Sequence, residues 1–264
     1  MELGAAARRA GFQLEFREVV ASTNDLALAA LQQGGDRHWF VAGQQQAGRG
    51  RHGRDWVSPP GNLYASLALA APCPPARAPL VGFVAGLSLA EAFCRVSPAL
   101  RPVIHLKWPN DVQIAGAKAA GILLEGLSLP GGRTGIVIGM GANIRHRPDL
   151  ADYPVTALAD HAPGAQVAAV FAALSDRMAE NLALFDAGNG FATIREGWLR
   201  HALPPGTRLR VRLPAGERHG AFAGLDPDGH LLLDTGHAVE AVMVGDVFLA
   251  EAPADPQTAL RTLG

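Results

Sequence analysis

The sequence has little cysteine, almost no net charge and no long uninterrupted apolar run, and each shortage excludes something. Cys73 and Cys94 are the only cysteines in 264 residues. Two are too few for a disulfide framework or a cysteine zinc cluster, so the plain reading is a pair of reduced thiols. A formal charge of −1 argues against a protein that binds nucleic acid through bulk positive charge, and any basic site must be local. The longest apolar run, residues 80–90, is too short to cross a bilayer and ends at Glu91. Residues 1–12 lack the apolar centre of a secretory signal. Together these absences predict a soluble, cytoplasmic protein. Hydrophobic residues make up 48% of the chain, enough for a substantial core in one large domain or two smaller ones.

Against this background, residues 43–56 (GQQQAGRGRHGRDW) stand out. Arg49, Arg51, His52 and Arg54 alternate with glycines, and Trp56 follows. Glycine lets the main chain come close to a ligand, while arginine brings a charged, planar donor fork suited to carboxylates and phosphates. Such a segment can wrap an anion with backbone N–H groups and side chains together. A solvated basic loop, or a short arginine–glycine contact for RNA, is the competing reading. With few apolar side chains to hold it down, the loop is expected to be mobile without ligand and to close over a bound anion.

Residues 13–20 alternate like a strand that buries Leu14, Phe16 and Val19. Ser22, Thr23 and Asn24 then open a helix that Gly34-Gly35 ends. They serve either as a plain cap or as hydrogen-bonding groups for a small polar ligand at a helix N-terminus. Residues 39–43 and 62–70 read as buried strands, 80–96 as a mostly buried helix, and 103–108 as a strand running into a rigid corner at Trp108-Pro109-Asn110-Asp111. Residues 112–114 and 119–124 form a hairpin across Gly116, and Lys118, among small neighbours, lies near a site rather than simply in solvent. Residues 134–144 form a buried strand in which Gly139 and Gly141 admit a close approach. Val167, Val170, Phe171, Leu174, Met178, Leu182 and Phe185 keep helical spacing and read as core in a helix stopped by Gly188 or Gly190, and 191–202 form another helix. After Pro204 the pattern becomes four short strands (207–213, 218–225, 230–234, 238–244) with turns at Asp228-Gly229 and Thr235-Gly236. A unit of about fifty residues is marginal alone. Residues 253–264 read as a tail.

Taken in order, Ser22-Thr23-Asn24, the stretch from Gln45 to Trp56, Lys107-Trp108-Pro109-Asn110-Asp111, Lys118-Ala119-Ala120-Gly121-Ile122-Leu123 and Gly139-Met140-Gly141-Ala142-Asn143 resemble the biotin–protein ligases over nearly the whole chain. The resemblance implies an α+β fold: a catalytic domain over 1–203 with a mixed sheet and helices like the class II aminoacyl-tRNA synthetase core, and an SH3-like barrel over 204–252. It implies that ATP and biotin are substrates, with Mg²⁺ accompanying the nucleotide, and that a lysine of a biotin carrier domain accepts the biotinyl group. By the same resemblance Ser22, Thr23, Asn24, Gln45, Arg49, Gly50, Arg51 and Lys118 bind biotin, with Lys118, Arg49 and Arg51 catalytic. Arg51, Arg54, Trp56, Asn110 and Asn143 serve the nucleotide, Trp56 covering the adenine. No metal ligand is assigned, Asp111 being the nearest candidate. His52 stands where many relatives carry another arginine. About twenty residues before Ser22 are too few for the helix-turn-helix of repressor relatives, so a monofunctional monomer or homodimer without DNA binding is expected. A lipoate or octanoate transferase and a non-catalytic biotin sensor are the nearest alternatives.

Overall fold

The computed structural model describes residues 1–148, 153–214 and 216–249. Its elements, in order, are α1 (Ala5–Arg9), β1 (Gln13–Val20), α2 (Thr23–Gln32), β2 (His38–Gln45), β3 (Leu63–Ala70), α3 (Val81–Val96), β4 (Ile104–Lys107), β5 (Asp111–Ile114), β6 (Ala117–Leu129), β7 (Arg133–Ala142), α4 (Val167–Phe185) and α5 (Phe191–Arg200). Then follow β8 (Arg208–Leu213), β9 (Gly216–Leu225), β10 (Leu231–Asp234), β11 (Val239–Val242) and β12 (Asp246–Leu249). The chain divides into two compact units, the second beginning at Ala202.

The first unit is built on a seven-stranded sheet in the order β1-β2-β3-β7-β6-β5-β4. Only β1 and β2 run parallel; every other pair is antiparallel, so the sheet is mixed. One face of β6 carries Ile122 and Leu124, which meet α3 at Gly86 and Gly82. Twelve of the sixteen residues of α3 are buried. The helical stretch Pro75–Val96 is long and apolar enough to cross a membrane by length and composition alone, yet 67% of its apolar 18-residue segment is buried inside the protein, as befits a core helix. In α4, Val170, Phe171, Leu174, Met178 and Phe185 form the buried stripe, whereas Val167, in the first turn, and Leu182, at the margin of the stripe, are only half-buried. On the opposite sheet face, α2 packs Ala27 and Leu31 on Phe40, Ala68 and Val137.

Several expectations need correction. Phe16 and Val19 are 40% and 52% exposed, because β1 is an edge strand with one neighbour rather than a core strand. Helix α4 ends at Phe185, before either glycine, with Asp186 in the left-handed region at φ 44°; Gly190 instead provides room, since a Cβ there would overlap the Leu184 carbonyl oxygen. Helix α1 and strand β12 are too short to show periodicity in the sequence. The second unit is a five-stranded antiparallel sheet ordered β11-β10-β9-β8-β12; no closing ladder joins β11 to β12 among the described residues, so a sheet, not a closed barrel, is observed. The tail at 253–264 lies outside the described residues. Cys73 and Cys94 are free and buried, and burial pushes both thiols up.

Candidate active site

The site is laid out by strand register. Lys107 faces Asp111 across β4–β5, Asp111 faces Gly121 across β5–β6, Gly121 faces Gly141 across β6–β7, and Gly141 faces Tyr64 across β7–β3. These residues form one row on the sheet face that α2 also covers. In the next row Ser66 faces Gly139, which faces Leu123. The glycines leave a floor without side chains, and two other side chains lie on it. Asn24 lies over Gly139 and the Trp56 indole over Gly141, where a Cβ would overlap each of them.

Strict alternation would aim Lys118 away from the face that carries Gly121. The register between β5 and β6 shifts there, from Val112↔Ala120 to Gln113↔Lys118. The extra residue re-aims the lysine, as bulges beside functional sites do. Its ammonium meets Asp111 Oδ1 at 2.7 Å, while Lys107 Nζ meets Oδ2 at 2.9 Å. The rings of Trp56 and Tyr153 flank it at 5.5 and 5.6 Å. Burial pushes the Asp111 carboxyl up, but the two ammonium groups outweigh that and hold it below its ordinary value. Both Asp111 oxygens are therefore engaged, which does not suit a magnesium ligand.

The main chain of Lys118 is fixed by Pro154 and Thr156, each at 2.9 Å. Asn143, buried, donates its amide to the Thr156 carbonyl at 3.2 Å, so its side chain holds the strap beside Lys118. Asn110 follows the cis Trp108–Pro109 bond. It donates to the Ile122 carbonyl at 2.8 Å and accepts from Arg51 Nη1 at 3.4 Å.

A polar cluster lies at the start of α2. Ser22 is the buried residue before the helix, but its side chain makes no capping hydrogen bond, which sets aside the plain-cap reading. The Thr23 N–H and hydroxyl lie 2.8 and 3.0 Å from Gln45 Oε1, and Gln45 Nε2 donates to Ser58 Oγ at 3.2 Å. Ser66, fully buried, is 2.7 Å from Thr23 Oγ1 and 2.5 Å from Asn24 Oδ1. The Asn24 amide donates to Glu125 Oε2.

The glycine–arginine loop folds on itself. Trp56 N–H donates to the Gly48 carbonyl at 2.9 Å and Gly50 N–H to the Arg54 carbonyl at 2.7 Å, and His52 and Gly53 turn the chain at φ 57° and 70°. Close approach requires glycine at 48, where a Cβ would stand 2.5 Å from the Trp56 carbonyl oxygen. Gly50 has an ordinary φ of −105°, so its expected freedom is not used. Arg49 makes a two-pronged pair with Asp25, at 2.6 and 3.2 Å, and faces Glu125 at 3.8 Å. Arg54 is exposed on the loop. Just beyond the glycine–arginine loop, Trp56 is half-buried on the glycine floor, with its Nε1 lacking a hydrogen-bond partner among the described residues. Gly141→Ala is expected to evict the indole and lower turnover by about tenfold or more, because a methyl cannot fit under the ring. Steady-state kinetics beside tryptophan fluorescence checks this; unchanged fluorescence and rate would contradict the packing.

The structure brings Thr23, Asn24, Gln45, Arg51, Trp56, Asn110 and Lys118 onto one sheet face or its rim. Sequence reasoning missed Asp25, Ser58, Ser66 and Glu125. A lone serine inside the apolar stretch NLYASLALA was the available signal for Ser66; the others looked like ordinary surface residues.

Comparison with known proteins places the geometry in context. The profile of the Biotin/lipoate A/B protein ligase family matches residues 16–143, and that of the Biotin protein ligase C terminal domain matches residues 206–250. The biotin–[acetyl-CoA-carboxylase] ligase of Paracoccus denitrificans is 34% identical over 234 residues, covering 86% of this chain and 96% of that protein. The bifunctional ligase/repressor BirA of Bacillus subtilis (strain 168) is 29% identical, over 90% of this chain and 74% of its own length. The solved biotin protein ligase from Aquifex aeolicus in complex with biotin and ATP matches with a TM-score of 0.75 at 27% identity, over 91% of this chain and 99% of that one.

Proposed function

The chain belongs to the biotin/lipoate A/B protein ligase family, and from that premise we infer that it is a biotin–protein ligase acting on a carboxylase. Biotin's carboxylate oxygen attacks the α-phosphorus of ATP and pyrophosphate leaves, giving biotinyl-5′-AMP. The ε-amine of a carrier-domain lysine then attacks the acyl carbon, an amide forms, and AMP leaves. Both steps gather negative charge on oxygen, so fixed cations and N–H donors supply most of the acceleration.

The observation that carries this reading is the meeting, on one sheet face, of the Thr23–Asn24–Gln45 cluster with Lys118. The first suits a small polar ring, the second a carboxylate beside a phosphate. In this reading Ser22, Thr23, Asn24 and Gln45 hold biotin, and Arg49, Gly50 and Arg51 close over it. Lys118 neutralises the reacting oxygens, while Arg54, Trp56, Asn110 and Asn143 serve the nucleotide. Magnesium would come with the ATP phosphates and would offset their charge, and no side chain here is assigned to it. The second sheet is read as SH3-like, with the division at 1–203 and 204–252. The protein works in the cytoplasm.

Incubation with biotin, ATP, magnesium and a biotin carrier domain should add one biotinyl group to the carrier, seen as a mass gain. Biotin-dependent exchange of pyrophosphate into ATP should occur with no carrier present. Exchange with lipoate but not biotin would move the chain to the lipoate branch of the family, and no exchange at all would leave the sensor reading.

The loop adds a separate expectation. Arg51→Gly removes the tie to Asn110 while leaving Lys118 in place, so the adenylate should form near the normal rate but escape before a carrier arrives. Albumin added with biotin and ATP should then be labelled several-fold faster than by the unmodified enzyme. The enzyme's own side chains should stay unlabelled, because its only lysines, Lys107 and Lys118, are both held on Asp111. Normal adenylate formation with no faster albumin labelling would rule out the lid.

A further inference from the structure

The glycine–arginine segment is a hairpin flap rather than an open loop. Its arms are residues 48–50 and 54–56. The Trp56 N–H donates to the Gly48 carbonyl, the Gly50 N–H donates to the Arg54 carbonyl, and Arg49 faces Asp55 between them in an antiparallel bridge. Residues 51–53 make the tip. Arms joined in this way move together, so whatever holds one residue of an arm holds the flap. Two of its side chains reach opposite banks of the sheet face. Arg51 Nη1 lies 3.4 Å from Asn110 Oδ1, at the corner between β4 and β5. Arg49 reaches the other bank, where Nη2 meets Asp25 Oδ1 at 2.6 Å and Nη1 meets Oδ2 at 3.2 Å. This contact is charged on both sides and two-pronged, the geometry in which even a partly exposed pair contributes. Glu125 Oε1, 3.8 Å from Arg49 Nη2, adds a second negative charge on the same bank.

We propose that Asp25 is a positioning residue: through Arg49 it fastens the flap to the first turn of α2, and so helps to keep the activated intermediate under it. The tie is made from the protein's own charges and needs no substrate anion. This reverses the expectation drawn from composition, that the segment stays loose until an anion binds. Retention of the intermediate rests on the biotin ligase reading; the fastening of the flap does not.

The first test is limited trypsin digestion of the full chain with neither biotin nor ATP present. Trypsin cuts after Arg51 and Arg54 when the flap opens, and under mild digestion the rate follows the open population. Asp25→Asn should raise that rate about fivefold, the scale of one well-formed exposed ion pair. Arg49→Gln should raise it as much, and the double variant no further, because both changes remove the same tie. The double variant also separates a rival cause. Asp25 lies in the first turn of α2, where a carboxylate steadies the helix by itself. That contribution does not depend on Arg49, and it would make the two effects multiply. The second test is enzymatic: Asp25→Asn should raise the ratio of albumin labelling to biotin-dependent pyrophosphate exchange by a similar factor. Digestion of Asp25→Asn no faster than the unmodified chain, effects that multiply in the double variant, or an unchanged labelling ratio would each overturn the proposal. Absence of exchange in the unmodified chain would instead overturn the ligase reading, and the digestion result would stand apart from it.

Discussion

Lys118→Ala is expected to lower adenylate formation by about a hundredfold or more, the scale of removing one preorganised charge from a developing oxyanion. The protein should still fold, because Asp111 keeps Lys107 at 2.9 Å and the strap is bound to Lys118 through main chain alone. Lys118→Arg should not restore activity. The ammonium occupies a narrow place, 2.7 Å from Asp111 and between the rings of Trp56 and Tyr153, and a planar fork has a different geometry. Pyrophosphate exchange measures the loss. Because the alanine variant retains Thr23, Asn24 and Gln45, biotin should still raise its melting temperature. An alanine variant with more than a third of normal exchange would mean that the lysine only balances Asp111.

Asp111→Asn should act through stability as well as rate. Removing the carboxylate takes away the counter-ion that two largely buried ammonium groups share, and breaking such a buried pair costs about 3–5 kcal/mol. The pH dependence identifies the cause. In the unmodified protein the Asp111 carboxyl lies below its ordinary value in the folded state. The stability it contributes is thus present above the unfolded carboxylate range and lost only as pH falls through the lowered folded value. In the asparagine variant the ammonium groups have lost the attraction of Asp111 while staying close to each other, so the charged form is less favoured folded than unfolded and stability rises with pH. The deficit relative to the unmodified protein should therefore shrink between pH 7 and pH 10. Denaturant melts across that range check it, and a deficit that stays constant would mean that shape rather than charge is at fault.

Much of the site was legible because its motifs are local. Lys107 through Asp111 and Lys118 through Leu123 each lie on one strand or corner, so residue spacing carried their likeness to a family intact. The core helices were legible for a similar reason: the stripe of α4 needs no partner to be seen, since its period belongs to the helix itself. Gly139 and Gly141 announced a close approach, but not what would approach. The two neighbours proved to be Asn24 and Trp56, more than eighty residues earlier in the chain.

By itself, then, the sequence determined most of the helices and strands, though not α1 or β12, together with the family and the short blocks of the site, all properties of neighbouring residues. Only the tertiary structure decided that β7 lies between β3 and β6, which is what sets Ser66 against Asn24 and aligns Lys107, Asp111, Gly121 and Gly141 in one row. It also decided that a bulge turns Lys118 toward that row, and that Glu125, Asp25 and Ser58 are partners of the site rather than surface. The reason is physical. Periodicity records which side of an element avoids water, whereas the partner of a buried charge or hydroxyl is set by strand order and register, and those depend on contacts between segments that the chain itself keeps far apart.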